Sequence, residues 1–227
     1  MTMRESNLGP SISPLEKVVR EFGTTPHTPE LYTSTFQAIW SANQEILNRA
    51  GIAIEFSIPE CPLTKEQLLK LEKERRSVGL LPRELFTQES RRFMAIIWPQ
   101  MQSHSLKEEN TVTNKVNRSG WFNYESAIDA PYPNTTEKSL KNAVKKEKRH
   151  GMNLNEYIIA SQDSKLFTGK YLDETSTWVR LLGSRDGGNV VDARFNADGY
   201  LYVRSSRFPR YHSSHLGGRS SEVPKAA

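Results

Sequence analysis

Apolar side chains recur at spacings of three and four from Tyr32 to Ala50, and alternate one by one from Val191 to Val203. This change of period constrains the fold more than any other feature of the sequence. A spacing of three and four places side chains on one face of a helix, whereas alternation places them on one side of a strand. A chain of 227 residues that carries both patterns has room for one ordinary domain or two small ones. The expected class is α+β: a small helical bundle over 1–102, a polar linker over 103–118 and an α+β domain over 119–223.

The helices are punctuated by caps. Ser13-Pro14-Leu15-Glu16 combines an N-cap hydroxyl, a proline at the first helical position and a capping-box glutamate, and predicts a helix with Leu15, Val18, Val19 and Phe22 on one face before Gly23. Thr28-Pro29-Glu30 starts a second helix, with Phe36, Ile39, Trp40, Asn43, Ile46 and Leu47 on its stripe up to Gly51. The box Thr64-Lys65-Glu66-Gln67 starts a third, which carries Leu68, Leu71, Arg75 and Val78 and stops at Gly79. A fourth, capped by Thr87, presents Phe93, Met94, Ile96, Ile97 and Trp98 before Pro99. Residues Ile52 to Ile58 alternate like a short strand or an extended connector. The segment SHSLKEENTVTNKVNR at 103–118 has almost no apolar content and reads as a linker. Beyond it the text predicts a strand from Trp121, a helix from Thr135 or Thr136 to about Arg149, and a helix from Asn153 to about Phe167. Strands follow at 177–182, 189–195 and 200–204, the last two joined by the turn Asn196-Ala197-Asp198-Gly199. Alternation puts Val191, Ala193, Phe195, Leu201 and Val203 on a buried face, and Asp192, Arg194, Tyr200, Tyr202 and Arg204 on a displayed one.

Charge divides the chain at about the same place. Residues 1–116 hold 14 basic and 14 acidic side chains; residues 117–227 hold 17 and 12 and so carry the whole net charge of +5. Every aspartate lies in the second section, the first being Asp129. Such a basic balance points to an acidic partner or to nucleic acid. No apolar run approaches the 18 or so residues of a membrane span, and the N-terminus lacks a signal-peptide stretch, so a soluble, cytoplasmic protein is expected.

Most motifs that could carry chemistry have a plainer reading. The single cysteine, Cys61, rules out an intrachain disulfide and has neither a paired histidine nor an evident cationic neighbour, which makes it a structural or merely exposed thiol rather than a nucleophile. Asp186, Asn189, Asp192, Asn196 and Asp198 fail the spacing of a calcium loop, because Arg194 stands where the first acidic ligand belongs; they read as turn residues. His212 and His215 lack a third ligand at usual spacing. Gly183, Gly187 and Gly188 precede a strand, whereas phosphate loops precede a helix. Trp40, Trp98, Trp121 and Trp178 are expected in cores. No cofactor, no metal and no catalytic residue is expected.

Three stretches carry a family resemblance: Leu154-Asn155-Glu156-Tyr157 with Ile158, Ile159 and Ala160; Val179-Arg180-Leu181-Leu182-Gly183-Ser184-Arg185; and Phe208-Pro209-Arg210-Tyr211 followed by Leu216-Gly217-Gly218-Arg219-Ser220. In order and spacing they resemble the C-type-lectin-like fold of the formylglycine-generating enzyme superfamily and of the target proteins of diversity-generating retroelements. The second stretch departs from the family's Arg-Gly-Gly-Ser-Trp strand, keeping the second glycine but not the tryptophan. The oxidase members need cysteines, and residues 117–227 have none. The motif of calcium-dependent lectins is also missing. The resemblance therefore implies a non-catalytic scaffold that displays loop residues to a partner.

The expected function is a protein-binding adaptor or accessory subunit of a larger, bacterial multi-protein assembly such as a secretion machine. Its partner-binding series is Tyr200, Tyr202, Arg204, Arg207, Arg210, Tyr211, His212 and His215, residue types that give large contact area and directional hydrogen bonds. The first alternative is a nucleic-acid-binding protein that uses the basic helix patch Lys138, Lys141, Lys145, Lys146, Lys148 and Arg149. The default for such a run is a solvated helix face, favoured near the helix C-terminus by the macrodipole. The second alternative is a secreted effector or an enzyme with an unrecognised site, marked by a deep pocket of convergent titratable groups.

Overall fold

The computed structural model describes residues 28–101, 103, 111–206 and 208–224. The expected helix from Ser13 to Gly23, His104 and Arg207 lie outside these residues. Among the described residues the chain is mixed α+β, with two sheets.

Helix α1 spans Pro29–Arg49, where Thr28 Oγ1 accepts from the Leu31 amide at 3.2 Å and Pro29 pre-sets the first turn. Its stripe buries Phe36, Ile39, Trp40 and Leu47, each contributing roughly 1.5–3 kcal/mol of apolar burial. Helix α2 is Lys65–Lys73. Its capping box is complete: the Gln67 amide donates to Thr64 Oγ1 at 3.3 Å and the Thr64 amide to Gln67 Oε1 at 2.8 Å.

The expected continuation of this helix to Gly79 does not form. Arg75 takes a positive φ of 55°, and Arg76–Leu81 becomes strand β1. The reason is tertiary: β1 pairs antiparallel with β3 (Gly120–Glu125), setting Leu80 opposite Trp121 and Val78 opposite Asn123. The section read as helical thus supplies one strand of a sheet completed by the C-terminal section. Helix α3 is Arg91–Ile97 and stops before Pro99. Residues 52–58 form no strand.

The described part of the expected linker also has structure. Val112–Asn114 forms β2, antiparallel to β5 (Trp178–Asp186), and Val112 is buried. Arg91, almost fully buried, draws this segment in by donating to the Val112 carbonyl at 2.6 Å, Asn114 Oδ1 at 2.7 Å and Asn155 Oδ1 at 2.7 Å. Burial pulls its guanidinium down to about 10, which leaves it charged at neutral pH.

The remaining elements are α4 (Glu137–Lys146), β4 (His150–Gly151), α5 (Leu154–Thr168), β6 (Asn189–Phe195), β7 (Leu201–Ser206), β8 (Leu216–Gly218) and β9 (Ser220–Glu222). The first sheet runs β1-β3-β9-β4; the second runs β2-β5-β6-β7, with β8 parallel to β5. Helix α5 packs against β1 and β5. It is buried from Leu154 to Ser164, as a helix enclosed by other elements must be. One apolar cluster extends from Tyr32 and Phe36 through Trp121 and Tyr157 to Phe195 and Leu201.

Candidate functional site

Antiparallel register places Arg194 opposite Tyr202 and Asp192 opposite Arg204 on β6 and β7, while β5 sets Val179 opposite Ala193 and Arg180 opposite Asp192. Because side chains alternate along a strand, two parallel rows cross this face of the sheet. One is Trp178, Arg194 and Tyr202; the other is Arg180, Asp192 and Arg204.

The first row is a cation–π stack. The Arg194 guanidinium lies 5.2 Å from the ring centres of both Trp178 and Tyr202, and Arg204 reaches back over Trp178 at 4.0 Å. Tyr200 packs on Tyr202 with ring centres 4.7 Å apart. Tyr202 and Arg204 are exposed, and Tyr200, Arg194 and Trp178 are half-buried. Stacking of this kind contributes about 0.5–1 kcal/mol per pair at exposed sites, and it fixes long side chains in place.

The second row is ionic and mostly covered. Arg180 is fully buried, with Nε 3.4 Å from Asp192 Oδ1, while Arg204 Nε lies 3.6 Å from Asp192 Oδ2. Arg180 also donates to the Tyr211 carbonyl at 3.2 Å and the Thr135 carbonyl at 3.2 Å, tying the 208–215 loop to the sheet. Burial raises the Asp192 carboxyl above its ordinary value, against the pull of Arg180 and Arg204. Asp192, expected on the displayed face, is buried because two arginines enclose it.

The expected partner series divides accordingly. Tyr200, Tyr202 and Arg204 come together. Phe208, Arg210, Tyr211, His212 and His215 are exposed on the neighbouring loop, where His212 Nδ1 lies 3.1 Å from the Arg210 carbonyl and the His215 carbonyl accepts from the Trp178 amide at 2.7 Å. Trp178 and Arg194 complete the stack; the one was expected in a core, and the other was not singled out as a partner contact. Alternation alone places Arg194 correctly, whereas the position of Trp178 follows only from its pairing with β6.

The basic helix requires one correction. Lys138, Lys141, Lys145, Lys146 and Lys148 are exposed, but Arg149 is buried and takes no part in a surface patch. Its Nε donates to Ser220 Oγ at 2.6 Å and its Nη2 to the Asn123 and Ser220 carbonyls at 3.2 Å, with Glu125 and Glu222 carboxylates at 3.6 and 3.3 Å. It locks β3 to β9.

Lys141 and Lys145 instead line a groove of about 300 Å3 with Lys115, His150 and Arg185, over a floor of Val144 and Leu182. All three arginines that line this groove are committed: Arg149 to β3 and β9, Arg185 to Glu137 at 2.6 Å, and Arg118 to both oxygens of Glu156 at 2.8 and 3.0 Å. Partial burial lowers the Lys115 ammonium, and the charges of Arg185 and Lys141 lower it further. Cations crowd here without enough anions to balance them.

Among the described residues no group of three His, Cys, Asp or Glu side chains is placed to hold a metal ion, and no helix is long and apolar enough to cross a membrane. Cys61 is a buried free cysteine, and burial pushes its thiol up. No known family, curated protein or solved structure matches the chain.

Proposed function

We propose that the chain is a non-enzymatic protein-binding adaptor or accessory subunit of a larger assembly, and that it docks through the row Trp178, Arg194 and Tyr202 with Arg204. The observation that carries this reading is the row itself, two aromatic rings held at an open sheet face by an arginine stacked between them. Side chains already stacked lose little rotamer freedom on binding, and aromatic and arginine side chains dominate the energetic centres of interfaces. The occupant that fits is an acidic protein segment carrying an apolar side chain, with its carboxylates on Arg194 and Arg204. The order of β3, α4, α5 and the strands from β5 onward supports the display-scaffold role that the lectin-like resemblance implies.

Peptide selection on the full chain tests this, with the Tyr202→Ala/Arg204→Ala double variant as counter-target. Acidic peptides that bind the natural chain at least tenfold more tightly than the variant are expected. Peptides that bind both equally overturn the assignment of the face.

The cation crowding around Lys115 favours a second reading, in which the groove takes a nucleic-acid backbone. Fluorescence anisotropy with a single-stranded oligonucleotide then shows affinity falling steeply with salt, and removing Lys141 and Lys145 lowers the log–log slope by about 0.7 each. Absence of binding at low salt removes this reading.

A further inference from the structure

Asp163 lies on α5 at the seam where α1, α2, β1 and β3 meet. It is 5% exposed, and its Oδ2 has no hydrogen-bond partner. It lines a chamber of about 30 Å3 together with Tyr32, Tyr124, Ser77, Ser126 and Thr168. Tyr32, Ser77, Val78, Ser126 and Thr168 also wall a wider cleft of about 240 Å3, whose other sides are the aliphatic Leu68 and Leu71 and, at the rim, Glu72 and Arg76. A buried carboxyl, one oxygen of which has no donor, therefore lines a chamber that shares Tyr32, Ser77, Val78, Ser126 and Thr168 with the wider, partly aliphatic cleft.

The groups around this chamber leave it short of positive charge. Arg76, the cation of the cleft, is bound to Glu74 at 3.0 Å and to Glu147 at 3.2 Å. Burial first, and then the charges of Cys61, Glu72 and Asp163, push the Tyr32 hydroxyl far above its ordinary value. Tyr124 is raised by burial and then by Asp163 and Tyr32. Both phenols consequently stay neutral and keep lone pairs to offer. A hard metal ion needs several charged oxygens, whereas one carboxylate with hydroxyl neighbours matches the three donors of an ammonium group.

We propose that this chamber binds the head of a small primary alkylammonium ion, with Asp163 as its counter-ion and its chain lying along Leu68, Leu71 and Val78. Burial raises the Asp163 carboxyl well above its ordinary value, so docking of the ammonium moves the Asp163 proton to solvent. The other titratable groups that line the chamber and the cleft are Tyr32 on α1, Glu72 on α2, Arg76 on β1 and Tyr124 on β3.

The probes are n-butylamine hydrochloride and the neutral, nearly isosteric 1-butanol, titrated into the full chain and into Asp163→Asn. Expected are saturable amide shifts at Ser77, Gly79 and Ser164 with a Kd of about 1 mM, proton release seen as a buffer-dependent heat, and at least tenfold weaker binding both for 1-butanol and by Asp163→Asn. Equal binding of the alcohol and the amine reduces the cleft to an apolar crevice and overturns the proposal. So does the absence of saturation by the amine at ten times that concentration, a result that needs no variant.

Discussion

Arg219 and Asp173 form an ion pair from which solvent is wholly excluded, with Nε to Oδ2 at 2.9 Å and Nη2 to Oδ1 at 3.0 Å. The same guanidinium donates to the carbonyls of Glu125, Ala127 and Ile128, each at 2.8 Å. It joins the link between β8 and β9 to the end of β3 and to the turn after α5, and Thr177 Oγ1 donates to Asp173 Oδ1 at 2.9 Å. Removing one member leaves a buried, uncompensated charge, at a cost of about 3–5 kcal/mol. Arg219→Met is expected to lose that much in urea unfolding. The double variant Arg219→Met/Asp173→Leu is expected to recover part of it, while the loss of the guanidinium from the Glu125, Ala127 and Ile128 carbonyls, of which the last still accepts from the residue 173 amide, keeps it below the natural chain.

Arg149 and the lysines of α4 make opposite predictions from one basic run. Arg149→Ala strips two backbone carbonyls and Ser220 of a donor and leaves Glu125 buried beside Ser220, to which it is also bound. A loss of about 3–5 kcal/mol follows. Lys146→Ala, on the exposed side of the same helix, stays within about 0.5 kcal/mol. Chemical denaturation of the two variants side by side checks the contrast.

That contrast also marks what the sequence made legible. Thr28, Thr64, Thr136 and Asn153 all cap helices where local chemistry placed them, because a cap is decided within three residues. The alternation from Val191 to Leu201 sorted the buried side of the hairpin for the same local reason. The strand at 76–81 was hidden, since its partner lies some 45 residues further on and its Val78 also fits a helical stripe. Arg149 reads as part of a basic surface patch, and nothing local marks Arg180 or Arg219 as buried; each is enclosed by partners that only folding brings within reach. Asp163 drew no attention because a lone aspartate within an apolar helix has no pattern of its own.

Gly183 sits at the irregularity in β5 between Leu181 and Arg185. Its amide donates to the Met152 carbonyl at 2.9 Å, and its carbonyl accepts from the Lys115 amide at 2.8 Å. A Cβ there would lie 2.7 Å from the Asn153 nitrogen and from the carbonyl oxygens of Gly151 and Met152. All three are backbone atoms of the segment that runs from β4 into α5 and cannot swing aside as the end of a side chain would. Gly183→Ala is expected to destabilise by about 1–3 kcal/mol, the usual cost of overpacking. Faster hydrogen exchange at the first turn of α5 should accompany it.

The pH dependence of stability should carry the signature of Asp163. Burial raises its carboxyl in the folded chain, so the folded state holds a proton that the unfolded chain releases near pH 4. Below that pH the group is neutral in both states and costs nothing. As pH rises from the unfolded value toward the raised folded value, the unfolded chain ionises first and gains, so stability falls by up to about 1.4 kcal/mol per pH unit. Asp163→Asn keeps the shape and stays neutral throughout. Its stability relative to the natural chain should therefore climb as pH rises above about 4 and level off above the raised folded value, as read from urea midpoints at a series of pH values. A constant difference across that range would mean that Asp163 is ionised in the folded chain and has a partner.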